Sequence, residues 1–219
     1  METFEITVEL KSPVVLGTDT FWTLDGVCFG ILDDMRKVGL TDLNPVDSIP
    51  LKCEDGLFYA SRAFFDNDVR QDKAKIGGIR PVKDMQEATS FISSPRGRMP
   101  KVVTTRFPFK SHLSRYVEIG ARSVSWIAVG NPDAVAALIV NAGSVGALRK
   151  DGHGKVGEVH VVVDASLDPL ITDGMPLRPI PETHAAAKVF DPELPKIEDA
   201  WRPSYFDISN RAVCFVPAR

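Results

Sequence analysis

Between Asn131 and Val163 the chain changes periodicity twice, and no other stretch constrains its fold as tightly. Asn131-Pro132-Asp133 reads as a helix start, with Asn131 as N-cap and Pro132 in the first turn. Ala134–Ala142 continues as a helix of small residues, and Val156–Val163 alternates as a strand through Val159, Val161 and Val163. Between them lies Gly143-Ser144-Val145-Gly146-Ala147-Leu148-Arg149-Lys150-Asp151-Gly152-His153-Gly154-Lys155. Its glycines permit backbone conformations that a side chain would block and let a bulky ligand approach the main chain. Exposed amides in such a loop suit phosphate oxygens. Arg149, Lys150 and Lys155 supply charge, and His153 offers a flat ring that can stack or donate. The chemistry is that of a polyphosphate or nucleic-acid backbone site, although a plain helix-to-strand turn also uses glycine.

Two nucleotide motifs fail against it. The Walker pattern needs Ser or Thr after Gly-Lys, whereas Val156 follows Gly154-Lys155. The dinucleotide fingerprint follows a strand and opens a helix, whereas this loop closes a helix and opens a strand.

Elsewhere, Phe4–Leu10 alternates as a half-buried strand, and Leu24, Val27, Cys28, Ile31, Leu32 and Met35 follow helical spacing toward a stop at Gly39. Leu57–Ala60 is a short apolar strand after the turn Glu54-Asp55-Gly56, and Ala121–Val129 reads as another strand. From 66 to 115 prolines and glycines interrupt weak periodicity, which points to an irregular or hairpin-like insertion with either a binding role or hidden strands. The tail from 166 holds eight of the chain's sixteen prolines and is expected to wrap the core as extended segments with few regular elements. The string strand, helix, strand, insertion, strand, helix, strand predicts an α+β fold of ferredoxin-like βαββαβ type. It would be one domain over 1–219, with its core in 1–65 and 116–165, an insertion at 66–115 and a C-terminal extension at 166–219.

Charge is distributed unevenly. Seven of the 26 lysines and arginines (Arg96, Arg98, Lys101, Arg106, Lys110, Arg115 and Arg122) fall in one short stretch, where Glu118 is the single acid. Partners respond to such local fields rather than to the net charge of −3. A solvated basic loop would show the same composition. The longest apolar run, near Ala134–Val140, is too short to span a bilayer. Met1–Glu5 shows no basic-then-apolar leader, and Cys28, Cys53 and Cys214 form no metal-spaced pair, so a cytoplasmic protein is expected.

The pattern Gly-x-x-Arg-x-x-Gly-[aromatic]-Gly after the second helix of such a fold resembles the RAMP superfamily of CRISPR-associated RNA-binding proteins. Here it runs from Gly146 through Arg149 and Gly152 to Gly154, with His153 where that family often carries Phe or Tyr. Phe4–Leu10, Ser12-Pro13-Val14, Thr23-Leu24-Asp25-Gly26, Ile49–Lys52 with Leu57–Ser61, and Cys214–Pro217 are similar to the fifth Cas family's subunit in type IV effector complexes. The resemblance implies an RRM-like RAMP domain that is non-catalytic and needs no cofactor. It would grip the 5′ handle of the CRISPR RNA, cap a filament of backbone subunits and contact the large subunit, with any target-DNA contact made through the complex. It further implies that the insertion is a thumb whose cations Arg96, Arg98, Lys101, Arg106, Lys110 and Arg115 face RNA. Gly146, Arg149, Lys150, Gly152, His153, Gly154 and Lys155 would form the other half of the grip. Phe107, Phe109 and Tyr116 would either stack on splayed bases or pack within the protein.

Two other classes compete. A metal-independent endoribonuclease processing precursor CRISPR RNA would need converging acid–base groups, and His112 with His153 is the credible pair. His160, in the last strand, is expected to be packed, and His184 lies in the proline-rich tail. A ferredoxin-like enzyme could instead hold a phosphorylated small molecule in the loop. No His/Asp/Glu cluster has metal-ligand spacing, so no metal is expected.

Overall fold

Alternation in the first strand is resolved directly into two faces. Phe4, Ile6, Val8 and Leu10 are buried while Glu5, Thr7 and Glu9 look outward, as a period-2 strand with one covered face requires. The computed structural model of the protein describes residues 1–16, 21–77 and 112–217. It divides into two compact units, Met1–Gln71 with Glu118–Arg219 and Asp72–Val117.

In the larger unit, β1 (Glu2–Leu10) is followed by β2 (Val14–Leu16), helix α1 (Leu24–Lys37), β3 (Cys53–Glu54), β4 (Leu57–Phe58) and β5 (Phe64–Asp66). Next come β6 (Val69–Gly77) and β7 (His112–Gly120), which run out into the smaller unit as hydrogen-bonded neighbours. The larger unit resumes with β8 (Ser123–Gly130), helix α2 (Pro132–Ala142) and β9 (Val156–Val163). Strands β5, β8, β1 and β9 form one sheet in that order, every pair antiparallel. Val124, Trp126 and Ala128 continue the buried face begun by β1. Helix α2 covers that face against β1 and β9, and α1 packs on α2. Asn131 caps α2, accepting a hydrogen bond from the Ala134 amide at 3.1 Å. The protein is thus α+β, with one sheet face covered by helix and the other polar. Among the described residues, no helix is long and apolar enough to cross a membrane.

Two sequence expectations change. The expected strand Leu57–Ala60 is divided: Asp55 and Gly56, both at positive φ, fold Leu57–Phe58 back on Cys53–Glu54 as a tight hairpin, whereas Tyr59 and Ala60 turn to β8, the Tyr59 carbonyl accepting from the Val129 amide at 2.9 Å and Ala60 bridging Ala128. Beyond them β5 supplies the longer pairing at this sheet edge. The C-terminal tail is also more regular than its prolines suggest. It builds the hairpin β10 (Ile171–Thr172) with β11 (Met175–Pro176), and a sheet of β12 (Ile180–Pro181), β14 (Arg211–Phe215) and β13 (Lys196–Ala200), in that spatial order. Pro181 is tolerated because β12 is an edge strand. A second apolar cluster of Leu57, Leu170, Ile180, Ala187, Phe190 and Phe215 holds this region together.

One buried ion pair fastens the tail to the rest. Arg178 and Asp25, in the first turn of α1, are both fully buried. Two guanidinium nitrogens reach the two carboxylate oxygens at 3.1 and 3.2 Å. Arg178 also donates to the carbonyls of Phe58 (2.6 Å) and Trp201 (2.7 Å), and the Tyr205 hydroxyl donates to Asp25 at 2.5 Å. Burial by itself would lower the Arg178 pKa, but the charge of Asp25 and contact with Tyr205 reverse this and raise it. Burial, reinforced by Asp25, pushes the Tyr205 phenol well above its usual range.

Breaking such a pair strands the surviving charge in the interior. Arg178→Ala is expected to destabilise the protein by about 3–5 kcal/mol in urea unfolding, and a loss below 1 kcal/mol would show that the pair does not anchor the tail. Because the folded state retains the Tyr205 proton after the unfolded chain has lost it near pH 10, stability should fall with rising pH above that point. The excess slope, up to about 1.4 kcal/mol per pH unit, should vanish in Tyr205→Phe. Identical alkaline slopes for the two proteins would contradict the burial of that phenol.

Candidate functional site

The glycine loop joins α2 to β9, and its four glycines are each in a conformation that side chains resist. Gly143, Gly146, Gly152 and Gly154 have φ of +64°, +83°, +92° and +64°. Gly143 ends α2 as a left-handed C-cap. Two of the four are also required by close packing. A Cβ on Gly154 would lie 1.8 Å from the Val145 carbonyl oxygen, and one on Gly146 would meet Val14 at 2.5 Å and the Val15 carbonyl oxygen at 2.8 Å. Gly146 therefore serves the seating of the loop on β2, and Gly154 the closure of the loop on its own Val145.

Hydrogen bonds complete that seating. The amides of Gly154, Ala147 and Lys155 donate to Pro13 O, Val15 O and Ser12 Oγ at 2.8, 2.8 and 2.9 Å, and Ser12 Oγ donates to Gly152 O at 2.9 Å. Val145 and Val156 donate across the loop to Gly154 O and Gly143 O. Asp151 and Gly152 close a 3-10 turn over Arg149–Asp151. Many of the amides that sequence reasoning offered to phosphate are thus used internally, and the loop meets its surroundings through side chains.

Those side chains differ in setting. Lys150 and Lys155 are exposed, and His153 is half-buried. Arg149 is tied to Asp34 of α1 by a 2.5 Å ion pair, with 23% of its side chain exposed. Arg115 is exposed in β7, Tyr116 is half-buried beside it, and β7 begins at His112, whose side chain lies outside the described part. Arg96, Arg98, Lys101, Arg106, Lys110, Phe107 and Phe109 also lie outside the described residues. Strand β6, beside β7, carries Arg70, Lys73 and Lys75 as further exposed cations that the sequence reading passed over, because it placed the basic stretch downstream.

The remaining histidines have structural placements. His160 is not packed as expected. Odd–even register puts it on the polar sheet face opposite Thr7, 65% exposed and 3.4 Å from Glu158. His184 caps a 3-10 turn, its Nδ1 accepting from the Ala186 amide at 3.1 Å. Among the described residues, no group of three or more His, Cys, Asp or Glu could hold a metal ion.

Beside the loop lies a cleft of about 390 Å³, bounded by Val15, Leu16 and Trp22, by Gly26, Val27 and Gly30 of α1, by Val145, Gly146, Ala147 and Arg149, and by Phe206. Gly26, Gly30 and Asp34 recur every fourth residue and so share one face of α1. That spacing was available in the sequence, whereas the approach of Phe206 from the tail was not.

Gly154→Ala must displace the Val145 carbonyl as well as adopt a left-handed backbone, whereas Gly152→Ala meets nothing within 4 Å among the described residues and carries backbone strain alone. Gly152→Ala should cost about 1–2 kcal/mol in thermal or urea unfolding, and Gly154→Ala clearly more. Equal costs would show that the loop is not seated on Val145 as described. Neither a protein-family model nor a curated protein matches the chain.

Proposed function

We propose that this chain is a non-catalytic RNA-binding subunit of a CRISPR ribonucleoprotein, related to the RAMP proteins that its glycine loop resembles. The observation that carries the reading is the loop's position. It connects the second helix to the last strand of the antiparallel sheet β5-β8-β1-β9, with Lys150 and Lys155 turned outward. Support comes from the sheet as well: if β1, α1, β5, β8, α2 and β9 are taken as a βαββαβ unit, its strands stand in the order fourth, first, third, second, as a ferredoxin-like reading requires. On this reading β6 and β7 begin the thumb, and Arg70, Lys73 and Arg115 add to its cationic surface.

In the complex the subunit holds the 5′ handle of the CRISPR RNA, caps the backbone filament of a type IV effector in the cytoplasm and contacts its large subunit. Its part is positioning: cations at the loop neutralise phosphates, while the loop's fixed backbone sets where they stand. Since Arg149 is already paired with Asp34, an arriving phosphate shares or replaces that partner.

Affinity for labelled single-stranded RNA should fall linearly with salt on logarithmic axes, by roughly 0.7 in slope per phosphate contact. Lys150→Ala and Lys155→Ala should each flatten the slope by about that amount, and Arg149→Ala should act in the same direction. Slopes unchanged in all three variants would remove the loop from the interface. Specific cleavage of the RNA, lost in His153→Ala, would replace a binding subunit with a nuclease.

A further inference from the structure

The cleft beside the glycine loop joins a property that phosphate binding does not use to one that it does. Its walls are apolar and aromatic, and one end is cationic. Trp22 is a fixed wall: its ring stacks on Phe65 at 5.9 Å and meets Trp126 edge-on at 5.0 Å, and its main-chain carbonyl accepts from Trp126 Nε1. Phe206 is the opposite kind of group, 84% exposed although it reaches Phe29 at 6.4 Å. The following residue, Asp207, caps a short turn by accepting from the Ser209 amide and hydroxyl, which fixes the chain from which Phe206 projects. On α1, a Cβ at Gly30 would meet nothing within 4 Å among the described residues, so they leave the helix face there open. Arg149 stands among the lining residues with Lys150 next to it in the exposed turn.

We propose that this cleft receives one unpaired base of a bound RNA strand, stacked among Trp22, Phe206 and the open face of α1 at Gly30, while the adjoining phosphates rest on Arg149 and Lys150. The proposal rests on the RNA-binding reading and makes it specific. A planar apolar group bonded to an anionic backbone is the ligand that matches an aromatic cleft edged by cations. A greasy protein segment would fill the apolar part and leave the cations unused. A free phosphate would do the reverse.

Phosphate contacts and base contacts separate experimentally, because the first set the salt slope and the second do not. The test measures binding of fluorescein-labelled mixed-sequence RNA, and of an abasic oligonucleotide of the same length, to the full chain across a salt series. Gly30→Leu fills the cleft without a clash at its Cβ and suits a helix interior, and Phe206→Ala removes an exposed ring, so both variants are expected to fold. Each should weaken RNA binding about tenfold at an unchanged slope, and neither should further weaken binding of the abasic strand. Wild-type affinity in both variants, with the salt slope intact, would overturn the base site and leave the RNA-binding reading standing. Equal weakening on the abasic strand would also overturn it, since the cleft would then hold something other than a base. Absence of salt-dependent binding by the wild-type chain would overturn the RNA-binding reading and this proposal together.

Discussion

The fully buried pair of Arg178 and Asp25 is the constraint on which the larger unit depends. It joins three stretches far apart in sequence: the first turn of α1, the 58–60 segment through its carbonyls, and the tail through Trp201 and Tyr205. Such a pair gives little net stability over an apolar equivalent, because two charges leave water to form it. Its effect lies in the cost of every alternative arrangement, in which one buried charge would lack the other. Among the described residues Arg178 Nε finds no hydrogen-bond partner even so, which adds to the cost of keeping this residue inside. Asp25 also sits where the α1 dipole favours a negative charge.

That anchoring reaches the candidate site through neighbouring residues. Tyr205 lies against Gly26, where an added Cβ would come within 3.1 Å of its ring. The next residue, Phe206, contributes to the cleft beside the glycine loop. From the other side, Arg149 ties the loop to the same helix at Asp34. Helix α1 is therefore held at its start by the tail and farther along by the loop, and the cleft lies along the face between these attachments. Rigid support of this kind fits a site that positions a ligand by shape, where a misplaced wall would cost contact on every side.

The regular parts of the fold were legible because their patterns are local. Phe4–Leu10, the α1 stripe, the Asn131 cap and Val156–Val163 each carry their own period or cap, and each forms close to where the sequence places it. Less legible was the strand following α1. Leu57–Phe58 has the composition of a core strand and is buried, but two positive-φ residues at Asp55 and Gly56 turn it onto Cys53–Glu54. The tail sheet was hidden for a different reason. Its strands are short and set in a proline-rich stretch of chain, and they are supported by Leu57, a neighbour far away in sequence that no window would pair with them. At the loop, sequence identified the glycines but not their task. Gly146 and Gly154 admit neighbouring protein backbone where a ligand's approach had been expected. Asp34 and Phe206 entered only through tertiary contact.

The loop thus divides its labour: its backbone holds to the protein, and its cations and the adjacent aromatic cleft are the surface that the proposed RNA would meet. The most direct measurement is co-expression of the chain with a CRISPR array and its partner subunits, followed by purification through this chain and sequencing of the protected RNA ends. The account predicts a uniform, repeat-derived 5′ end whose recovery falls when Arg149, Lys150 and Lys155 are replaced together by alanine. Protein that purifies free of nucleic acid, or RNA ends that are random and indifferent to those three residues, would contradict it.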